Sequence, residues 1–460
     1  MSGNKSATYL AIDIGASSGR HIVGRLEDGK LVTREVHRFY NGAIRTGGGL
    51  YWESDRLVGE VISGLCAAKA QGLAPDYVGI DTWGVDYALL TGDASTDGVR
   101  CYRDDRTAAV VDEVHGIVPF AELYARTGIQ FQQFNTIYQL FEDKKSGRAA
   151  AADGMLMLPD FLGYKLTGVK KQEYTNATTT GLVNAVTHTW DYAIIDRLGL
   201  DRRFFGELSQ PGTAVGRFSP EVERAVGYSA TVVLPATHDT ASAVLAAPLE
   251  GSSPYISSGT WSLLGIEQEA AHTDENSRAV NYSNEGSICG AFRYQKNIMG
   301  LWMLQSVKRE LREAYGFPEL AELARGAKRG ATVDVNDKRF LAPKSMIDEI
   351  CRAVGRRLDT PALLRVIYDS LADGYAEAVR ELECNTGKTY DSINIIGGGC
   401  RDAFLNELTA KATGKRVITG PIEATSIGNL IMQMIGCGEL KDLAAARRTI
   451  KNSFEITEVK

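Results

Sequence analysis

Val232-Val-Leu-Pro-Ala-Thr-His238-Asp239-Thr240-Ala-Ser242 is the stretch on which the fold turns. Its β-branched and apolar start ends at Pro235, the pattern of a buried strand stopping at a proline. The polar cluster after it leads into a small-residue helical stretch, Ala241 to Ala247. A carboxylate at the mouth of a strand, just ahead of a helix, stands where open α/β folds place their chemistry. The structural alternative is that Asp239 only caps that helix, since aspartate is a favoured N-cap residue. Position separates the two readings, because Asp239 lies between two glycine-serine turns that both look built to hold phosphate.

The first of those turns is near the start. Thr8 to Ile14 reads as a strand, Asp13-Ile-Gly-Ala-Ser-Ser-Gly19 as a turn, and Arg20 to Arg25 as a second strand. Asp28-Gly29 is a tight-turn dipeptide, and Leu31 to Phe39 makes a third strand, so the chain opens with an antiparallel meander. Glycine lets backbone N–H groups approach an anion closely, and serine hydroxyls add donors. No Gly-Lys-Ser/Thr ends this turn, so it is not a P-loop. A strand rather than a helix follows it, so it is not a dinucleotide fingerprint either.

Between the first turn and Asp239 the pattern is mixed. Gly47-Gly-Gly49 is a loop tip. Ser54 caps an amphipathic helix with Leu57, Val58, Val61, Ile62 and Leu65 on its apolar face. Tyr77 to Ile80 is a strand that ends in Asp81-Thr-Trp-Gly84-Val-Asp86. That run reads equally as the floor of a sugar site and as a buried tryptophan among ordinary loop acids. Tyr102-Arg-Asp-Asp-Arg106 is a salt-bridged surface turn. Asn135 to Ser146 and Pro159 to Leu166 read as helices, and Glu173 to Thr180 as a polar loop.

After Asp239 the device begins again. Ala246-Ala-Pro-Leu-Glu-Gly251 looks like a hinge. Tyr255-Ile-Ser-Ser258-Gly-Thr260-Trp261 is a strand, a serine-glycine turn and a strand running to Glu267. This is an internal repeat of architecture rather than of sequence. An irregular sheet region spans 281 to 294, and helices are expected over Leu301 to Tyr315 and Pro361 to Glu383. Ile393 to Ile396 then forms a buried strand that runs into Gly397-Gly398-Gly399-Cys400, with a helix beyond it carrying Phe404, Leu405 and Leu408 on one face. Backbone donors and a helix N-terminus converging there would seat an anion or nucleotide. Three successive glycines exceed what a bare turn needs.

A chain of 460 residues is expected to divide into two lobes, because single cores stop growing at ~250–300 residues. A net charge of −6 argues against a nucleic-acid surface, and no apolar run approaches a membrane span. The N-terminal Met1 to Thr8 lacks the apolar core of a signal peptide. Seven scattered cysteines without a CxxC pair point to a reducing, cytoplasmic setting rather than to disulfides or zinc. No nucleic-acid or membrane partner is therefore expected, and the chain reads as a monomer or small homo-oligomer.

Four features in fixed order describe a nucleotide clamp: an Asp-Gly-Ser hairpin, the strand-end Asp239, a second Ser-Gly-Thr hairpin and the late triple glycine. This order resembles the sugar-kinase/Hsp70/actin superfamily, and within it the FGGY carbohydrate kinases. The resemblance is carried by Asp13 to Arg20, Gly79 to Asp86, Thr237 to Ser242, Ser257 to Ser262, Asn297 to Trp302 with Gln305, Gly397 to Cys400 and Gly420 to Thr425, and so runs over nearly the whole chain. Gly-Ala-Ser-Ser-Gly-Arg and Asp-Thr-Trp-Gly-Val-Asp are similar to the L-rhamnulose-phosphorylating branch of that family.

The resemblance implies an α/β, two-lobed ribonuclease H-like fold with ATP and sugar in an interlobe cleft, a sugar-binding lobe over 1–246 and a nucleotide-binding lobe over 247–460. It implies an ATP site at Ala16, Ser17, Ser18, Gly19, Arg20, Thr260, Gln305, Gly397, Gly398 and Gly399. It implies a sugar site at Gly84, His238, Asp239, Thr240 and Asn297, with Asp239 as the base, and Mg²⁺ oriented by Asp13 through water. The activity it implies is ATP-dependent phosphorylation of L-rhamnulose at its C1 hydroxyl. Alternatives are another ketose, such as L-fuculose or a xylulose, or more distantly a nucleotide-switched binding protein. One departure stands: residues 268 to 300 do not follow the second signature of the wider family, so Asn297 rests on the closer branch alone.

Overall fold

The computed structural model describes residues 6 to 459, apart from positions 93, 96, 97 and 342. Residues 1 to 5, part of the stretch read above as lacking a signal peptide, lie outside the described residues. The chain forms two compact units. One comprises Met1–Ala246, Gln268–Tyr294 and Thr425–Ser453; the other comprises Ala247–Glu267, Gln295–Ala424 and Phe454–Lys460. The first changeover falls at the start of the stretch read as a hinge. Two later segments, 268–294 and 425–453, group with the first unit.

In the first unit β1 (Tyr9–Ile14), β2 (Ser18–Glu27) and β3 (Lys30–Tyr40) form the antiparallel meander. Asp28 and Gly29 both have positive φ, 50° and 76°, as a tight two-residue hairpin turn requires. With β4 (Tyr77–Thr82), β5 (Ala214–Arg217) and β6 (Thr231–Val233) the sheet order is β5-β6-β4-β1-β2-β3. β4 runs parallel to β1, and β6 parallel to β4. Every residue of β1 is buried, because both faces of the sheet are covered. On one face Leu10, Ile12 and Ile14 share a core with Leu57, Val61 and Leu65 of the helix Ser54–Ala70 and with Phe161 and Leu162 of the helix Leu158–Thr167. On the other lies the helix Ala424–Gly436. It packs so closely that a Cβ on Gly79 would strike the side chains of Asn429 and Gln433.

Three local expectations need correction. Ser54 does not cap its helix: Glu53 holds the N-cap position without a side-chain bond, and Ser54 is the buried first helical residue. The 102–106 turn is only partly at the surface: Arg103 and Asp105 are exposed, whereas Asp104 is buried. Cys101 is fully buried, and the Arg106 side chain, 6% exposed, lies 3.3 Å from Glu142 and 3.8 Å from Asp143. Residues 173 to 180 are not a loop but a short strand edge and a helix, Tyr174–Thr178, buried throughout. Polar residues suggested exposure; here they are polar because buried groups need partners.

In the second unit β7 (Tyr255–Ser258) and β8 (Trp261–Gln268) form an antiparallel hairpin. With β9 (Phe292–Met299), β10 (Ser392–Ile396), β11 (Arg416–Thr419) and β12 (Thr457–Val459) the order is β9-β8-β7-β10-β11-β12, and the strand Ser283–Gly286 lies beyond β9 as the seventh, at the edge. β10 runs parallel to β7, as β4 does to β1, so the two units open with the same hairpin-plus-parallel-strand device. The long helix is Thr360–Thr386, capped by Asp359 and ended by Gly387 at φ 65°. The helix expected over 301–315 is Trp302–Glu310 alone, ending ahead of Arg312 and Glu313, both in the left-handed region.

Candidate active site

Carboxylates gather at the strand ends of the first unit. Asp13 on β1 is in register with Asp81 on β4 and with Arg20 on β2. Thr82 bridges His238 in parallel, with the Thr82 N–H donating to Thr237 O at 3.0 Å, so the 237–239 segment continues the same edge. Arg20 Nε is 3.6 Å from Asp13 Oδ2, and Ser426 Oγ donates to that oxygen at 3.3 Å. Arg20 is thus paired into the site rather than standing as a surface residue.

Asp81 is completely buried. Burial first, and the neighbouring Asp13 charge second, push its carboxyl well above the usual range. Asn429 Nδ2 donates to Asp81 Oδ2 at 2.5 Å, while Gln433 Nε2 donates to Asn429 Oδ1 at 2.6 Å and fixes which end of that amide faces the acid. Ser426, Asn429 and Gln433 lie three and four residues apart, one stripe of the helix Ala424–Gly436.

Asp239 opens the helix Asp239–Ala246. Its Oδ1 accepts from the N–H of Thr240 at 2.5 Å and from Thr240 Oγ1 at 3.1 Å. An N-cap carboxylate would instead take the N–H two or three residues on, and the Ser242 N–H is bonded to His238 O at 3.1 Å. His238 Nε2 stands 3.4 Å from Asp239 Oδ1. The other ring nitrogen faces Arg293 Nη2 at 3.1 Å and Glu285 Oε2 at 3.2 Å.

The backbone ahead of His238 is held by Glu173. This buried carboxylate accepts from the N–H groups of Thr175, Asn176 and Thr237 and from the hydroxyls of Thr175 and Thr237. Burial raises its pKa, and those donors oppose the rise. Sequence reading passed over Glu173, Glu285 and Arg293. An acid heading a run rich in threonine and asparagine, and a charged residue inside a strand, are the signals that could have marked them.

The Trp83-Gly84-Val85-Asp86 run is a braced turn. Val85 has φ 70°, a conformation a β-branched side chain rarely adopts. It is held there from both sides: its N–H donates to Thr179 Oγ1, and its carbonyl accepts from Thr136 Oγ1 and Gln139 Nε2, all within 3.1 Å. Gly84 is obligatory because a Cβ would sit 2.9 Å from Thr179 Oγ1. Asp86 accepts from the indoles of Trp52 and Trp83, the N–H of Tyr102 and Gln139 Nε2. Four converging donors need an acceptor-only group, which a carboxylate is and an amide is not. Burial still lifts Asp86 to about 6. Asp86 is thus an anchor for the turn that presents Gly84.

The first hairpin turn uses its carbonyls inward. Ser18 O accepts from the Gly15 N–H, Ser17 O from the Asn41 N–H and Gly15 O from Asn41 Nδ2. A Cβ on Gly19 would strike the Phe39 ring, which explains that glycine by packing alone. Asp13, Ala16, Ser17, Ser18, Gly19, Arg20, Gly84, His238, Asp239 and Thr240 all belong to the first unit.

The second unit carries Thr260, Asn297, Gln305 and Gly397 to Gly399. Its hairpin turn packs on the start of the helix Trp302–Glu310. The N–H groups of Leu301 and Trp302 donate to Gly259 O and Thr260 O, and Thr260 Oγ1 donates to Gln305 Oε1 at 3.3 Å. Thr260 and Gln305 are therefore neighbours. Asn297 Oδ1 is buried with no hydrogen-bond partner among the described residues.

The triple glycine separates into three cases. Gly397 has φ 82°, and a Cβ on Gly399 would overlap Ser258 Oγ of the hairpin. Gly398 has neither constraint: a Cβ there would meet nothing within 4 Å. One expectation is corrected here, for the glycines do not lead directly into the helix. A 3-10 turn, Gly398–Arg401, intervenes, and Asp402 caps the helix Ala403–Thr413 by accepting from the Leu405 N–H. The helix N-terminus already has its carboxylate, so open space rather than a helix end distinguishes Gly398.

Among the described residues no group of three or more His, Cys, Asp or Glu side chains forms a metal cage, all seven cysteines are free, and no helix is long and apolar enough to cross a membrane.

Comparison with known proteins accounts for this arrangement. The model of the N-terminal domain of the FGGY family of carbohydrate kinases matches residues 8–246, and that of the C-terminal domain matches 254–437. Rhamnulokinases from Halalkalibacterium halodurans and Oceanobacillus iheyensis are 46% and 43% identical, each over 456 residues that cover 97% of this chain and 97% of theirs. A gluconate kinase from Lactobacillus acidophilus superposes with a TM-score of 0.83 at 17% identity, covering 99% of this chain and 93% of its own. The two-lobed sugar-kinase fold is thereby established, and the chain belongs to the FGGY family of carbohydrate kinases.

Proposed function

We propose that the protein transfers the γ-phosphoryl group of ATP to the C1 hydroxyl of L-rhamnulose, giving L-rhamnulose 1-phosphate and ADP. The observation that carries the substrate is the likeness to rhamnulokinases over 97% of this chain and 97% of each of theirs. We assign sugar binding to the first unit, through Gly84, His238, Asp239 and Thr240, and nucleotide binding to the second, through Thr260, Gln305 and Gly397 to Gly399. Asn297 adds a sugar contact with its unpaired buried Oδ1.

Phosphoryl transfer asks mainly for alignment and charge neutralisation. Asp239 takes the proton of the attacking hydroxyl through Oδ2, since Oδ1 is engaged by Thr240 and faces His238. Ala16 to Gly19 offer turn donors to the phosphates, and Arg20 adds a charge-assisted contact. The donor set suits Mg²⁺: one Asp13 carboxylate, steadied by Ser426, fits an ion that keeps most of its water. Mg²⁺ held by Asp13 through water would neutralise phosphate charge. Free thiols throughout support a cytoplasmic setting.

A coupled ADP-release assay across ketoses and aldoses tests the reading. L-rhamnulose should give the highest kcat/KM. A wide preference for L-fuculose or D-xylulose would overturn the substrate while leaving a sugar kinase. ATP turnover indifferent to every sugar would favour a nucleotide-switched binding protein.

A further inference from the structure

Among the described residues Arg293 is the largest charged side chain with no exposure at all, and it lies in β9. A guanidinium taken out of water is costly unless paired and hydrogen-bonded. Its Nε donates to Gly286 O at 3.1 Å, and its Nη2 lies 3.1 Å from Glu285 Oε2 and 3.1 Å from His238 Nδ1. Nη2 has two hydrogens and these two acceptors. A guanidinium has no lone pair to offer, so His238 Nδ1 must accept, and the ring proton must sit on Nε2.

The opposite tautomer fails on the same distances. With a proton on Nδ1, donated to Glu285 at 3.2 Å, one Nη2 hydrogen would face another N–H. At the far side of the ring an Nε2 lone pair would then face the carboxylate oxygen of Asp239 at 3.4 Å. Only the Nε2–H form leaves both Nη2 hydrogens and the ring N–H opposite acceptors.

We propose that Arg293 and Glu285 are positioning residues that hold His238 as its Nε2–H tautomer, so that the imidazole donates to Asp239 Oδ1 and leaves Oδ2 to receive the proton of the sugar hydroxyl. This rests on the reading of Asp239 as the base. Glu285 neutralises the guanidinium, the guanidinium sets the tautomer, and the imidazole clamps one carboxylate oxygen. Neither Glu285 nor Arg293 touches the reacting atoms.

The decisive measurement needs no substrate. In protein labelled with ¹⁵N-histidine, with the His238 signals assigned by their loss in His238→Gln, Nδ1 should resonate as the unprotonated ring nitrogen and Nε2 as the protonated one. The reverse pattern in the unaltered protein overturns the proposal, whatever the variants do. Glu285→Gln and Arg293→Lys then test the consequence. In folded variants the single-tautomer signature should be lost, and kcat should fall at least about tenfold while KM for ATP stays within about twofold. A folded variant that loses the signature yet keeps kcat would also overturn it. Because the spectrum is read without sugar, it can fail while the kinase reading stands, and stand if another ketose proves to be the substrate.

Discussion

The two hairpins are built alike and equipped differently. In the first, the last residues of β1 put Asp13 beside Asp81 on the parallel neighbour and opposite Arg20 on the antiparallel one. In the second, the corresponding place on β7 is Ser257, beside Ile396 on β10 and opposite Leu263 on β8. The turn end of the first hairpin stands in a field of carboxylates; that of the second is neutral and backed by glycines. This difference supports the proposed division, with acid–base chemistry in the first unit and a seat shaped by close backbone approach in the second.

The comparison breaks most visibly at Asp239. Asp239→Asn keeps shape and the bonds from Thr240 but removes the proton acceptor. A positioned base contributes typically ~10²–10⁴ in rate, so kcat should fall by that much. KM for sugar should move little, because the lost interaction forms mainly in the transition state. Steady-state kinetics on a folded Asp239→Asn protein decides it, and near-normal kcat would remove the first unit's claim to the chemistry.

A smaller effect sharpens the second unit's role. Gly398→Leu fills space that no protein atom occupies, so its melting temperature should match that of the unaltered protein while KM for ATP rises about tenfold, ~1.4 kcal/mol. Gly399→Ala should do the reverse. Its methyl group overlaps Ser258 Oγ, and overpacking of this kind costs ~1–3 kcal/mol, read as a lower denaturation midpoint. If both variants lost stability and neither lost ATP affinity, Gly398 would be a packing glycine like its neighbours.

What was legible in the sequence follows the same division. The hairpins, the meander and the late strand were readable because turns punctuate them and because glycine and serine cluster where backbone must approach closely. Asp239 was readable from its place between strand and helix. Arg293, Glu285 and Ser426 were not. Ser426 meets Asp13 across 413 positions of chain, and no local window contains both partners. Glu173 was hidden for a second reason. Reading polarity as exposure assigns the 173–180 run to a loop, whereas its threonines and asparagine are buried to serve one carboxylate and one turn. A buried polar network inverts the periodic signal that reveals a core.

The finest difference between the hairpins concerns acid. His21 lies on β2 one residue past Arg20, fully buried against Gly64, where a Cβ would strike its ring. The β7–β8 hairpin contains no histidine. Burial first, and the nearby His37 second, lower His21 from 6.5 to about 3. The folded ring thus refuses a proton that the unfolded chain accepts below about pH 6.5. Stability tied to the neutral ring is complete above that pH and is lost progressively as pH falls towards 3. By pH 5.5 the loss amounts to ~1.4 kcal/mol. Urea unfolding at pH 7.5 and 5.5 should show it, and His21→Leu, which cannot titrate, should show a pH dependence smaller by that amount. Hydrogen exchange supplies the spatial half of the test. Lowering the pH should loosen β1 and β2 before β7 and β8, after correction for intrinsic exchange. Equal loosening of both hairpins, or an unchanged pH slope in His21→Leu, would mean that the buried ring is not what makes the first hairpin acid-sensitive.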